Sequence, residues 1–151
     1  IRSFGVKLKH NINKSLVKDK SLILIDDSLV RGTTSVKIIK MLYDAGAKEV
    51  HLRIASPPIK YPDYYGVDTP DQNALLASKF DLEGMRKFIN ATTLQFLSIE
   101  GLYTSMGHKK RNSSYPQFTD HCFTGEYPVK PIDANDKSFA DEQISFMSSK
   151  S

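Results

Sequence analysis

Apolar positions along this sequence fall into short strand-like runs, separated by stretches with helical spacing. Leu22-Ile23-Leu24-Ile25 is an unbroken aliphatic run, the pattern of a strand buried on both faces of a parallel sheet. Val36, Ile39 and Leu42 then recur at helical intervals, with Thr34 or Ser35 placed to cap the helix and Gly46 to stop it. Residues 50–55 read as the next strand, closed by Ser56-Pro57-Pro58. Strand, helix and strand in that order predict a βαβ unit with a right-handed crossover and a parallel pair. Upstream, residues 6–9 alternate apolar and basic positions and read as a half-exposed strand. Downstream of Pro58 come turn-rich residues, then helical patterns at 72–77 and 82–89, a short strand at 94–97 and a short helix from Ser98 or Ile99. From Lys109 onward, polar residues with scattered Pro and Gly predict an extended wrap, and residues 135–151 a flexible tail. The expected fold class is α/β, in one domain, with the wrap at its carboxyl end.

Composition narrows the class. The 151 residues are 40% hydrophobic and 25% charged, which fits a globular domain and is too apolar for a disordered one. No apolar run approaches the roughly 20 residues of a membrane helix, so no membrane partner is expected. Cys122 is the single cysteine, which excludes an internal disulfide and multi-cysteine zinc sites and fits a reducing compartment such as the cytoplasm. A net charge of +4 suits anionic small molecules, but no clustered basic stripe marks a nucleic-acid binder. The chain does not begin with Met, so a preceding segment is expected.

The candidate chemistry lies at the end of the first buried run, in Asp26-Asp27-Ser28-Leu29-Val30-Arg31-Gly32-Thr33-Thr34-Ser35. A strand delivers two adjacent acids to its carboxyl end, where ligands of parallel α/β sheets bind. A short loop of hydroxyls and glycine then enters a helix, whose first N–H groups and positive dipole end favour a phosphate. Paired carboxylates accept from a vicinal diol or hold a hard cation such as Mg²⁺. Diol, phosphate and metal together describe a phosphorylated ribose. Each part alone is common as turn or capping chemistry; their joint order is far rarer. Neither the Walker pattern nor the dinucleotide glycine fingerprint is present.

This segment resembles the binding motif for 5-phosphoribosyl-1-pyrophosphate (PRPP) of type I phosphoribosyltransferases. Its Asp-Asp-Ser-x-Val-Arg-Gly-Thr-Thr form is similar to that of the amidophosphoribosyltransferase family. The likeness continues through Ala45-Gly46-Ala47-Lys48-Glu49-Val50-His51, Ala55-Ser56-Pro57-Pro58-Ile59, Tyr65-Gly66-Val67-Asp68, Leu97-Ser98-Ile99-Glu100-Gly101-Leu102 and Cys122-Phe123-Thr124-Gly125-Glu126-Tyr127-Pro128. The resemblance implies a partial Rossmann-like phosphoribosyltransferase fold over residues 1–134. It implies a function in the first committed step of purine synthesis, joining glutamine-derived ammonia to C1 of PRPP with loss of pyrophosphate. Asp26 and Asp27 are then expected at the ribose hydroxyls or Mg²⁺, and Ser28, Leu29, Val30, Arg31, Gly32, Thr33 and Thr34 around the 5-phosphate. Lys9 becomes a candidate for contacting pyrophosphate or a feedback nucleotide; a solvated strand lysine is the plainer alternative. One branch of the family holds a [4Fe–4S] cluster on cysteines, and Asp63, Pro116 and Thr119 stand at three of those places. A cluster needs thiolates, so none is expected. Cys122 is expected to be a small buried residue, and His108 and His121 to have packing or surface roles. The implied partners are purine nucleotides as feedback inhibitors, further copies in a homo-oligomer, and an amino-terminal glutamine-hydrolysing domain outside this sequence. The first strands of the phosphoribosyltransferase fold and most of its mobile loop, which would hold pyrophosphate, are likewise expected outside this sequence, so this chain alone is expected to be inactive. Two rival readings are another PRPP-dependent phosphoribosyltransferase and a non-catalytic nucleotide sensor on the same fold.

Overall fold

The structure is a computed structural model, and it describes residues 12–129 except 68 and 70. The expected strand at residues 6–9, Lys9 and the tail at 135–151 lie outside the described residues. A short helix α1 (Lys14–Val17), capped by the Asn13 side chain on the Ser15 N–H, leads into β1 (Ser21–Asp26). Then follow α2 (Thr33–Asp44), β2 (Glu49–Ile54), a 3-10 turn (Gln72–Ala74), α3 (Leu76–Lys79), α4 (Leu82–Ile89), β3 (Thr93–Phe96), α5 (Ile99–Ser105) and α6 (His121–Thr124). The three strands form a parallel sheet in the order β1-β2-β3, with Leu24 opposite Leu52 and Leu52 opposite Leu94.

Helices α2 and α4 pack on one face of that sheet. Ile39 of α2 and Met85 and Ile89 of α4 join Val50, Leu52, Ile54 and Leu94 in a single buried cluster, with Leu24, Val36 and Leu42 at its margin. The helical face read from Val36, Ile39 and Leu42 is therefore the packed one. Asp81 caps α4 by accepting from the Gly84 N–H at 2.7 Å, and Ser98 caps α5 by accepting from the Gly101 N–H at 2.9 Å.

Three expectations need correction. β1 is not buried on both faces: Ile23 and Ile25 are 68% and 73% exposed. The cause is topological. Both crossovers run in the same direction across the sheet, so right-handedness places both connecting helices on one face. The other face, carrying Ile23, Ile25, His51, Arg53 and Thr93 by register, has no covering helix among the described residues. Secondly, the cap of α2 is Gly32 rather than Thr34 or Ser35, and it makes no side-chain cap bond. Thirdly, the helical pattern at 72–77 divides into the 3-10 turn and α3, because Leu75 takes an extended conformation between them.

Candidate phosphate and diacid site

The ten residues from Asp26 to Ser35 line one cavity of about 480 Å³ at the carboxyl end of β1. Asp26 is the last residue of the strand, and its backbone carbonyl is held by the Ala55 N–H at 2.9 Å, just past the end of β2. The Asp27 N–H donates to Asp26 Oδ1 at 3.0 Å, and the Ser28 hydroxyl donates to Asp27 Oδ1 at 3.3 Å. One oxygen of each carboxylate is thus engaged locally. The second oxygen of each takes no hydrogen bond from the described residues. Two adjacent hard oxygen donors fit a divalent cation whose other ligands come from water or from the ligand's own oxygens. Among the described residues no group of three metal-ligating side chains gathers, so the pair alone does not form a closed protein cage.

Leu29 points the other way. Its side chain is 2% exposed and belongs to the core cluster, so this residue offers the cavity its backbone. The buried leucine anchors the loop, and the Val30 carbonyl ties it to α3 by accepting from the Leu76 N–H at 2.8 Å. Arg31, Thr33 and Thr34 are exposed at the rim.

Gly32 has φ +75°, a left-handed conformation that disfavours any side chain. A Cβ built there would lie 2.9 Å from Leu76 Cδ2 and 3.2 Å from Phe88 Cε1. Glycine is therefore required twice, by the backbone turn and by contact with α3 and α4. The turn aims the start of α2 at the cavity. The first intrahelical bond runs from the Val36 N–H to the Gly32 carbonyl at 3.0 Å. By helix geometry the N–H groups of Thr33, Thr34 and Ser35 precede it without intrahelical acceptors. Free N–H groups, nearby hydroxyls and a helix dipole make an anion cradle next to two carboxylates.

Two networks that no local sequence pattern signals tie down the wrap, one within it and one between it and the loop after β2. Arg111 donates to Asp120 Oδ2 at 2.5 Å and to Glu126 Oε2 at 2.6 Å, and the Tyr103 hydroxyl donates to Asp120 Oδ2 at 2.9 Å. Burial alone would raise the Asp120 carboxyl, but Arg111 and Tyr103 together hold it below the usual carboxylate range. In the second network His121, 4% exposed, stands 3.2 Å from Asp63 Oδ1 through Nε2. The packing role expected for His121 is what the structure shows. His108 likewise packs between Tyr103 and Phe118. Cys122 is only partly buried, a correction to its expected burial: on the one-turn helix α6 it is the neighbouring His121 that turns into the interior. Desolvation and the nearby Asp63 charge push its thiol upward, so it is a poor nucleophile.

No protein-family model matches the chain. Among curated proteins, the amidophosphoribosyltransferase of Rhizobium etli is 54% identical over 143 residues, covering 94% of this chain and 29% of the relative. Amidophosphoribosyltransferase 2, chloroplastic, of Arabidopsis thaliana is 48% identical over 88% of this chain and 23% of the relative. The Bacillus subtilis amidophosphoribosyltransferase is 45% identical over 86% of this chain and 27% of the relative. The solved glutamine PRPP amidotransferase of B. subtilis, complexed with ADP and GMP, superposes with a TM-score of 0.69 at 47% identity, over 76% of this chain and 25% of that one. The chain thus spans about a quarter of the length of the proteins it matches. Over that span, in sequence and in fold, the chain belongs to the amidophosphoribosyltransferase family.

Proposed function

We propose that this chain supplies the PRPP-binding part of an amidophosphoribosyltransferase, which joins glutamine-derived ammonia to C1 of PRPP and releases pyrophosphate as the first committed step of purine synthesis. The observation that carries the reading is the single cavity in which the Asp26–Asp27 diacid adjoins the hydroxyl-and-glycine entry to α2. The 5-phosphate fits the N–H groups and hydroxyls of residues 28–34. The ribose diol fits the free carboxylate oxygens of Asp26 and Asp27. These two acids would also hold Mg²⁺, which when bound would neutralise charge on the pyrophosphate leaving group. As the C1–oxygen bond breaks, positive charge develops on the ribose ring, and the fixed carboxylates stabilise it. Holding ribose and phosphate from both ends keeps C1 in one orientation for attack, so catalysis rests on positioning more than on proton transfer.

The ammonia comes, in this reading, from a glutamine-hydrolysing domain in the remaining length typical of the relatives. Lys9 remains a candidate contact for pyrophosphate. Purine nucleotides, whose phosphate and ribose repeat the PRPP pattern, would compete at the same cradle; the related B. subtilis structure holds ADP and GMP. The active form is taken to be a cytoplasmic homo-oligomer without an iron–sulfur cluster, since Asp63, Pro116 and Thr119 offer no thiolate. The test is Asp27→Asn in the full-length enzyme. Losing one of the two charges should lower PRPP-dependent turnover by about tenfold or more. Unchanged kinetics would mean that the diacid only shapes a turn.

A further inference from the structure

Residues 55–63 run between two fixed points. At one end the Ala55 N–H holds the Asp26 carbonyl, at the edge of the proposed site. Beyond Ile54 the strand ladder stops, and the chain passes through Pro57, which is fully buried, and Pro58. At the other end it meets the turn at 120–127. The N–H groups of Lys60 and Tyr61 both donate to the Cys122 carbonyl, at 2.9 and 3.1 Å, and the Tyr127 hydroxyl donates to the Pro62 carbonyl at 2.8 Å. The Tyr61 ring lies against Gly125, where a Cβ would come within 2.9 Å of it.

The centre of this junction is the pair Asp63 and His121, whose side chains are each 5% exposed. Asp63 accepts from the N–H groups of Tyr65 and Val67, at 2.6 and 3.2 Å, as well as from His121 Nε2. The His121 ring is wedged between Tyr65, edge-on at 5.0 Å, and Tyr127 at 4.9 Å. Its Nδ1 is buried without a partner. Nε2 is the one ring nitrogen with partners in reach, Asp63 Oδ1 at 3.2 Å and Cys122 Sγ at 3.4 Å, so the ring joins the junction through a single atom. His121 therefore serves as a single-point donor, a role that a carboxamide of suitable length also fills.

We propose that Asp63 and His121 form a clasp that holds residues 55–63 taut and so fixes the end of β2 against Asp26, making them positioning residues for the PRPP site rather than contacts to the ligand. This rests on the function proposed above. The path is short and stiff: two prolines stand between the Ala55 bond and the paired bonds to Cys122. Pro57 and Pro58 carry no N–H, and those of Ser56 and Ile59 make no described backbone hydrogen bond. Releasing the clasp unseats His121 and with it the adjacent Cys122 carbonyl that holds Lys60 and Tyr61, so the tether slackens and the Ala55–Asp26 bond that orients the diacid weakens.

The experiment compares full-length wild type with His121→Ala, His121→Gln and Asp63→Asn, well below their unfolding temperatures. His121→Ala and Asp63→Asn should raise KM for PRPP by about fivefold or more and leave kcat within about twofold. His121→Gln, which restores a donor near the Nε2 position, should return KM to within about twofold of wild type. Amide hydrogen exchange by mass spectrometry should show faster exchange at residues 54–56 in His121→Ala and not in His121→Gln. A lowered melting temperature with unchanged KM and unchanged exchange at 54–56 would overturn the proposal, leaving a purely stabilising pair. So would a KM equally raised by Gln and Ala. A wild-type enzyme without PRPP-dependent turnover would sink the functional reading instead, and the exchange arm would still decide the clasp.

Discussion

Gly32→Ala is the perturbation whose cost can be worked most directly from the geometry. The residue sits at φ +75°, and an alanine there bears the left-handed penalty of about 1–2 kcal/mol. The new methyl would also lie 2.9 Å from Leu76 Cδ2, 3.2 Å from Phe88 Cε1 and 3.5 Å from Ile89 Cγ2. Phe88 is half-exposed and can swing aside, but Leu76 and Ile89 are buried at 3% and 0% exposure. Overpacking of this kind costs about 1–3 kcal/mol. The total is about 2–5 kcal/mol, which lowers the melting temperature of a chain of this size by roughly 4–20 °C. Gly107 provides the control. It has φ +87° with no atom within 4 Å of an added methyl, so Gly107→Ala carries the backbone penalty alone. Thermal unfolding of the 151-residue chain followed by circular dichroism separates the two contributions. If Gly32→Ala costs no more than Gly107→Ala, the close approach of the cradle to α3 and α4 is wrong.

Other outcomes follow from the same structure. Arg111→Met leaves the buried Asp120 charge without its main partner and should destabilise by about 3–5 kcal/mol, measured by urea denaturation. Arg111→Met combined with Asp120→Leu should recover most of that loss; an additive double variant would refute the pairing. Asp63 and Asp120 both titrate below the ordinary carboxylate value when folded: burial alone would raise each, but backbone N–H groups and His121 outweigh it at Asp63, and Arg111 and Tyr103 at Asp120. Their stabilising contribution is therefore complete above the unfolded carboxylate value of about 3.9 and is lost as pH falls through the lowered folded values. Stability should drop steeply below about pH 4, and Asp120→Asn should flatten that drop. Purified, anaerobically handled full-length enzyme should be colourless and free of stoichiometric iron; iron and sulfide together would overturn the reading of Asp63, Pro116 and Thr119.

Much of the fold and of the candidate site was legible in local pattern. The run at Leu22-Ile23-Leu24-Ile25, the helical spacing of Val36, Ile39 and Leu42, and Ser98 before Ile99 each carry their signal within one element. The diacid and its loop are contiguous, so the whole cavity from Asp26 to Ser35 could be read before any fold was known. What failed depends on neighbours. Whether Ile23 and Ile25 are covered depends on which face receives the crossovers, and an aliphatic run looks the same either way. Gly32 displaced Thr34 and Ser35 as the cap because the loop needs a left-handed turn to bring Leu76 alongside, a tertiary demand. The Arg111–Asp120–Glu126 and Asp63–His121 pairs were invisible because their members lie 9, 15 and 58 residues apart without periodicity. The wrap must fold back on itself to bring Arg111 to Asp120 and Glu126, and must dock on the loop after β2 to bring His121 to Asp63.

The proposed assignment of residues 28–34 to the phosphate, and of Asp26 and Asp27 to the ribose or its metal, is tested most directly by titrating the ¹⁵N-labelled chain with ribose 5-phosphate, with and without Mg²⁺, and following amide chemical shifts. Saturable shifts are expected at the N–H groups of Ser28, Gly32, Thr33 and Thr34, with Mg²⁺ adding shifts at Asp26 and Asp27. Saturable shifts that avoid this segment and fall elsewhere on the sheet would contradict it.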